Sequence, residues 1–353
     1  MGQQEVGFPK DIRSLMKALV TGAGGFVGGA IARALRDRGD EVRSFSRGEH
    51  AELAAYGIEH HQGDVRDRDA VTAAAEGVNI VFHAAAKVGA GGLLADFHAT
   101  NVTGTGNVIA ACHDCEVLAL VFTSTPSVVF GLTDLEDVDE SVDYSTDYDA
   151  DYGRTKAEAE HLVLSCASDE LRTIALRPPL IWGPGDTSLL PRVIERARNG
   201  SLRRIKGPPT LQDVTYIDDA VQAHLQAADR LLAGGDGARR INGRPFFVSS
   251  GAPVEVWEFI DGLLDAAGLP PVRKSVSLRT ALVVAWVFEK MHALSRAEGD
   301  PRMSRWMVRQ LTTSRWFNIS AARRDLGYEP RVSLEEGMRR LKAWFEEQDQ
   351  EQA

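Results

Sequence analysis

Tyr152 and Lys156 stand four residues apart in the run YGRTK, a spacing that places both side chains on one face of a helix. A phenol titrates near about 10 and exchanges protons at neutral pH only when a cation stabilises its phenolate, which a lysine at i+4 can do. Upstream, Thr123-Ser124-Thr125 closes a strand-like run, so one hydroxyl, Thr125 or Ser124, can share the oxygen on which the phenol acts. Such a set can move a proton at a carbonyl or hydroxyl oxygen while hydrogen-bond donors meet the charge that develops there.

A second group lies near the start of the chain. Gly22-Ala-Gly-Gly25-Phe26-Val27-Gly28 follows a strand-like run and opens a helix. Glycines so placed allow a tight turn, close approach of backbone N–H groups to a pyrophosphate, and close helix–strand packing. The second strand then ends in Ser46-Arg47 where a carboxylate for ribose hydroxyls is usual. Serine and arginine can bond and neutralise a 2′-phosphate, so NADP(H) is the preferred cofactor, with NAD(H) still open. Asp64, after the third strand, is placed to accept from an adenine amino group or to cap a helix.

These residues must be positioned by alternating elements. The pattern predicts strands at Ala18–Thr21, Glu41–Phe45, Glu59–Gln62, Ile80–His83, Ala119–Thr123 and Thr173–Leu176. Helices are expected over Phe26–Arg38, Ala70–Ala75, Asp96–Cys112 and Tyr152–Ser165. The fold class is therefore α/β, a Rossmann-type doubly wound parallel sheet with a smaller C-terminal substrate-binding region. Residues 1–15 read as an appendage, 16–180 as the NADP(H)-binding domain carrying the reactive groups, and 181–353 as a mixed substrate-binding region with strands returning to the main sheet.

The chain has 353 residues, 50 acidic and 40 basic, and a composition ordinary for a globular protein, which excludes disorder as a description of the whole. The net charge of −10 argues against coating nucleic acid or anionic lipid by bulk electrostatics, although a global sum hides local asymmetry. That charge is local: nine acidic residues and no basic one lie between Leu132 and Gly153, and without them 41 acidic residues face 40 basic. This loop reads as a solvated excursion ahead of Tyr152. Between Val272 and Arg331, by contrast, the net charge is +7. Within that stretch Ala281–Phe288 is apolar throughout, too short to cross a bilayer, and reads as a buried helix, a substrate-pocket wall or a surface that docks a partner enzyme or membrane. Three cysteines cannot form a disulfide framework, Cys112-His-Asp-Cys115 lacks a second pair for zinc, and no secretory apolar core is present, so no metal and a cytoplasmic location are expected.

From about Met16 to Phe345 the chain resembles the extended short-chain dehydrogenase/reductase superfamily. The resemblance is carried by TGAGGFVG (Thr21–Gly28), HAAA (His83–Ala86), Asn101 with Gly104-Thr105, TST (Thr123–Thr125), YGRTK and RPPLIWGPGD (Arg177–Asp186). DVTYIDDAVQAH and RRDLGYEPRVSLEEGMRRL look like its 3β-hydroxysteroid dehydrogenase branch. TSTPSV, LIWGPGD and TTSRWFNISAARRDLGY are similar to the 2-alkyl-3-oxoalkanoate reductases of bacterial long-chain olefin biosynthesis.

The resemblance implies Tyr152 as general acid, Lys156 as the group that lowers its pKa and holds the nicotinamide ribose, and Thr125 as the third hydroxyl, with Ser124 as the alternative because most relatives carry serine at the Thr125 position. It implies cofactor contacts at Gly22, Gly25, Phe26, Val27, Gly28, Ser46, Arg47, Asp64, Val65, Ala84, Ala85, Lys87, Asn101, Thr123, Tyr152, Lys156, Pro178 and Leu180. The implied reaction is NADPH-dependent reduction of the 3-keto group of a lipid-like 2-alkyl-3-oxoalkanoic acid. The alternative is oxidation of a 3β-hydroxysteroid or 4-carboxysterol. Pro126 and Ser127 replace the acidic pair of sugar dehydratases, and with Arg47 they count against sugar-nucleotide chemistry. The intact Tyr152/Lys156 pair counts against a non-catalytic NADP(H) sensor. A homodimer is expected from the resemblance alone.

Overall fold

The computed structural model describes residues 16–89, 91–148, 150–295 and 301–352, so the N-terminal appendage expected at 1–15 lies outside the described residues. Seven parallel strands form the main sheet. In spatial order they are Arg244–Phe247, Arg172–Arg177, Ala119–Thr123, Ile80–His83, Lys17–Thr21, Glu41–Ser46 and Glu59–Gln62. The chain runs outward through the first three strands and then returns to the other side of the first. The switch point, where such folds place ligands, therefore falls between Lys17–Thr21 and Ile80–His83.

Alternation along each central strand divides its side chains between the two faces. Ala18, Val20, Ile80, Phe82, Ala119 and Val121 join one buried cluster with Ile31 and Leu35 of helix Phe26–Asp37 and Ala227 and Leu231 of helix Ile217–Ala233. Leu19, Val81, Leu120 and Phe122 join the other, with Val71, Val108, Cys112 and Val163 from the helices of the opposite layer. The polar strand Glu59–Gln62 is tolerated because it lies at the sheet edge.

Three local outcomes differ from the expectations. The helix expected over Asp96–Cys112 is composite: Leu94–His98, a π-helical turn Ala99–Thr103, then Gly104–Asp114. The wide turn carries Asn101, whose buried amide receives the Lys87 N–H (2.7 Å) and donates to the Lys87 carbonyl (3.0 Å) and to Thr155 Oγ1 (3.0 Å). Such insertions in a helix often mark functional regions. Second, the acidic loop is more than a solvated excursion. Leu135–Val138 pairs with Arg315–Phe317 in a four-stranded sheet, Asp134 accepts from the Ser314 N–H at 2.7 Å, and Glu140 accepts from the Phe247 N–H at 2.8 Å. Third, the apolar run 281–288 is no buried helix. It lies in Leu278–Ser295, where among the described side chains only Ala281 and Ala285 are fully covered. Cys112 packs in the core and Cys115 turns its thiol toward the Thr72 carbonyl.

Helix Asp151–Ser165 is tied to the sheet by charge. Glu160 is wholly buried and accepts from Arg177 Nη2 at 2.6 Å, from Arg177 Nε at 3.1 Å and from the Tyr144 hydroxyl at 2.7 Å. The guanidinium lies between the Tyr144 and Phe247 rings, 5.4 and 5.2 Å from their centroids. Removing one partner strands the other charge in a dry site, a loss of about 3–5 kcal/mol, whereas replacing both with apolar groups of similar volume costs much less. Urea unfolding should therefore show Glu160→Gln less stable than the double variant Glu160→Leu/Arg177→Met. The opposite order would mean that the two charges do not compensate each other.

Candidate active site

The residues singled out by type and spacing meet at the C-terminal ends of the parallel strands. Lys17–Thr21 leads into the glycine-rich turn, Glu41–Ser46 into Arg47, and Glu59–Gln62 into Asp64 and Val65. Ile80–His83 leads into Ala84, Ala85 and Lys87, Ala119–Thr123 into Ser124 and Thr125, and Arg172–Arg177 into Pro178. Leu180, in the short strand Leu180–Trp182, leaves its side chain exposed.

The glycine turn has the form of a cradle. Gly22 has φ +72°, and a Cβ there would stand 2.7 Å from the backbone of Ala85. A Cβ on Gly28 would stand 2.4 Å from the Gly22 carbonyl, so helix Phe26–Asp37 can approach the strand only without one. Gly25 caps that helix with no side-chain bond, leaving its first-turn amides to an outside acceptor. His50, absent from the expected set, holds its imidazole directly over the turn: a Cβ on Gly24 would meet Nε2 at 1.9 Å. The signal for it was weak, a histidine three residues beyond Arg47 opposite a doubled glycine. These residues fit the phosphates of a dinucleotide.

Around the expected adenosine end, Arg47 is exposed at the strand terminus. Asp64 accepts from the Arg66 N–H and Nε (both 3.0 Å) and from Arg66 Nη2 (2.6 Å), and these bonds hold its carboxyl below the usual range. The cap of the following helix Arg68–Ala75 is Asp67, not Asp64.

At the reactive end, Lys156 is 2% exposed. Its Nζ donates to the Thr123 carbonyl at 2.7 Å and lies 3.8 Å from the Phe122 ring centroid. Burial pushes its pKa down to about 7, opposed in part by the charge of Glu160. Tyr152 moves the other way. Burial pushes its pKa up to about 12, and the hydrogen bond with the Thr125 hydroxyl pulls it back only in part. Lys156 is thus engaged by a carbonyl and an aromatic face, and Thr125 is the group that eases ionisation of the phenol. Thr125 Oγ1 accepts from the Ser127 N–H and lies within hydrogen-bond reach of Ser127 Oγ, both at 3.2 Å, so its one proton is shared between the serine and the phenol. Ser124 Oγ is buried without a hydrogen-bond partner.

Two buried histidines complete the frame. His224 lies behind Thr123, donating from Nδ1 to the Ala220 carbonyl (2.7 Å) and accepting the Thr123 hydroxyl at Nε2 (2.9 Å). His83 bonds Thr21 Oγ1 at 2.7 Å and Thr105 Oγ1 at 2.9 Å, and Thr105 donates on to the Asn101 carbonyl. Burial holds both rings neutral, with pKa values down to about 4 and about 3. A cleft of about 650 Å³ between 146–151 and 301–309 is lined by Arg154 and Glu158, on the side of the helix facing away from Tyr152 and Lys156, and is distinct from this site.

Residues 19–279 match the 3-beta hydroxysteroid dehydrogenase/isomerase family. A 2-alkyl-3-oxoalkanoate reductase of Stenotrophomonas maltophilia is 45% identical over 93% of this chain and 99% of its own length. One of Shewanella oneidensis is 41% identical over 92% and 85%. A UDP-glucuronic acid 4-epimerase of Bacillus cereus, solved in complex with NAD, superposes with a TM-score of 0.70 over 94% of this chain and 99% of its own at 19% identity, a likeness of fold. Fold and site together define an oxidoreductase of the Rossmann type that uses a nicotinamide dinucleotide. Within that class, the chain belongs to the 3-beta hydroxysteroid dehydrogenase/isomerase family.

The buried lysine makes a pH prediction. With a folded pKa of about 7 and an unfolded value of 10.5, the unfolded chain holds the extra proton between those limits. The penalty for burying Lys156 is therefore complete below pH about 7 and fades as pH rises toward about 10. Urea unfolding of the cofactor-free protein at pH 6.5 and 9 should show the wild type gaining about 2 kcal/mol on Lys156→Met. An unchanged difference would place the ammonium in a solvated setting.

Proposed function

We propose that the protein reduces the 3-keto group of a 2-alkyl-3-oxoalkanoic acid to the 3-hydroxy acid with NADPH. The observation that carries this reading is the Tyr152–Thr125 contact beside buried Lys156, in a chain 45% identical to a 2-alkyl-3-oxoalkanoate reductase across nearly its whole length. When bound, the reduced nicotinamide supplies hydride to the carbonyl carbon. Tyr152 Oη donates its proton to the carbonyl oxygen as charge grows there, and the product leaves as the neutral alcohol. Thr125, in contact with the phenol, holds that oxygen in register and donates to it, while Ser124, buried in isolation, takes no part. Lys156 sits one helical turn on, its ammonium aimed by Thr123 O, where it holds the nicotinamide ribose.

Preference for NADPH is supported by the end of the second strand. No carboxylate stands there to repel a 2′-phosphate, Arg47 is exposed, and the nearby Asp64 already has its charge matched by Arg66. Homodimerisation is supported by the superfamily resemblance and is secondary to this reading. The family match favours one rival, oxidation of a 3β-hydroxysteroid or 4-carboxysterol by the same groups.

A panel of 2-alkyl-3-oxo acids and hydroxysteroids, assayed with NADPH and NADH in parallel, separates them. The expected result is turnover on the oxo acids. Tyr152→Phe should lower kcat at least about 100-fold with cofactor affinity retained, and Arg47→Ala should weaken NADPH binding about tenfold with NADH unaffected. Turnover confined to the sterols would overturn the substrate, and equal use of NADH by the wild type would overturn the cofactor.

A further inference from the structure

Helix Leu278–Ser295 is built the wrong way round for a protein surface. It seats on the body through Ala281 and Ala285, both fully buried, with Leu282 and Phe288 partly covered. On the outward side stand Val283 at 62% exposure, Trp286 at 48%, Val287 at 42%, Met291 at 59% and Leu294 at 84%. A helix apolar on all sides is expected to be covered on all sides, and a contiguous exposed patch of this kind marks a contact surface.

The charges around it choose the occupant. Arg273 and Lys274 precede the helix, and Arg279 and Lys290 lie on it, all exposed. The helix has one acidic residue, Glu289, which is partly covered and accepts from the Arg305 N–H at 2.7 Å and from its Nε at 2.8 Å. The patch is thus apolar with a cationic rim. A second copy docked through the same patch by a two-fold axis would bring these cations face to face. A bilayer containing anionic lipid instead offers acyl chains to the valines and leucine, an interfacial layer to Trp286, and phosphates to the four cations. No helix among the described residues is long and apolar enough to cross a membrane, so the contact is a shallow one.

We propose that this helix docks the protein on the surface of a membrane rich in anionic lipid, with Trp286 and its aliphatic neighbours inserted among the headgroups. This holds whichever substrate the reaction site takes.

Flotation of the purified full-length chain with phosphatidylcholine vesicles, with and without phosphatidylglycerol, tests it. The expected result is binding roughly tenfold stronger with the anionic lipid and weakened by salt. Lipids brominated near the headgroup should quench the wild type more than Trp286→Phe. Val283→Asp/Val287→Asp should abolish flotation, and Lys274→Glu/Arg279→Glu should remove the preference for anionic lipid. Melting temperatures check that each variant is folded, and because the altered side chains are exposed, they should stay near that of the wild type. Failure of the wild type to float with either composition overturns the proposal. So does undiminished binding of the folded aspartate variant, or a dimer in gel filtration that the aspartate pair dissociates, which would assign the face to a second copy.

Discussion

The arrangement around the site depends on keeping one ammonium group, that of Lys156, out of water. An unpaired cation in a dry interior is costly enough that the protein must either surround it with acceptors or let it lose its proton. Here the surroundings do part of each. The Thr123 carbonyl and the Phe122 ring take the cation directly, and Glu160, one helical turn further on, supplies negative charge without touching it. That buried carboxylate must itself be matched, which explains Arg177 at the end of its strand and Tyr144 reaching in from the acidic loop. A single buried cation thus accounts for side chains on two strands, one helix and one loop.

The nucleotide cradle and the Tyr152 helix are joined by a second, uncharged system. Because His83 is neutral and Thr105 gives its own proton to Asn101 O, His83 Nε2 must be the donor to Thr105. Nδ1 is then an acceptor, and the Thr21 hydroxyl donates to it while accepting from the Ala85 N–H. The chain continues through the Asn101 amide to Thr155 on the Tyr152 helix. Every link has one proton and one direction. A change of tautomer at His83 would leave two donors or two acceptors face to face in the core, so the path fixes the spacing between the glycine turn and the reactive helix.

The parts of this architecture that were legible in the sequence are those written in periodicity and glycine placement. The six expected strands form, with ends displaced by no more than a residue; in the central ones β-branched and apolar runs fill both faces of a covered parallel sheet, and the polar Glu59–Gln62 takes the edge. What was illegible depends on pairing across long separations. Nothing in the sequence pairs Glu160 with Arg177; the fold brings these two, 17 residues apart, together in the core. The π-helical turn at Ala99–Thr103 follows from where the Asn101 amide is needed, not from local propensity. The acidic loop looked solvated because composition cannot say which carboxylates will find backbone donors, as Asp134 and Glu140 do. The Tyr152/Lys156 spacing was correct in placing both groups on one face, but it suggested that the lysine would acidify the phenol, whereas the fold points that ammonium at a carbonyl.

That last difference bears on the direction of the proposed reaction. A phenol whose pKa burial raises to about 12 is almost wholly protonated at neutral pH. It is therefore ready to give a proton to an oxygen turning into an alkoxide, which is a far stronger base. In the reverse sense the phenol must first ionise, and the Thr125 hydroxyl is the neighbour that favours its phenolate. The cofactor-free site is accordingly set for an acid. Either direction passes the same proton between Tyr152 and the same substrate oxygen, and positive charge brought near the phenol would favour its ionised form.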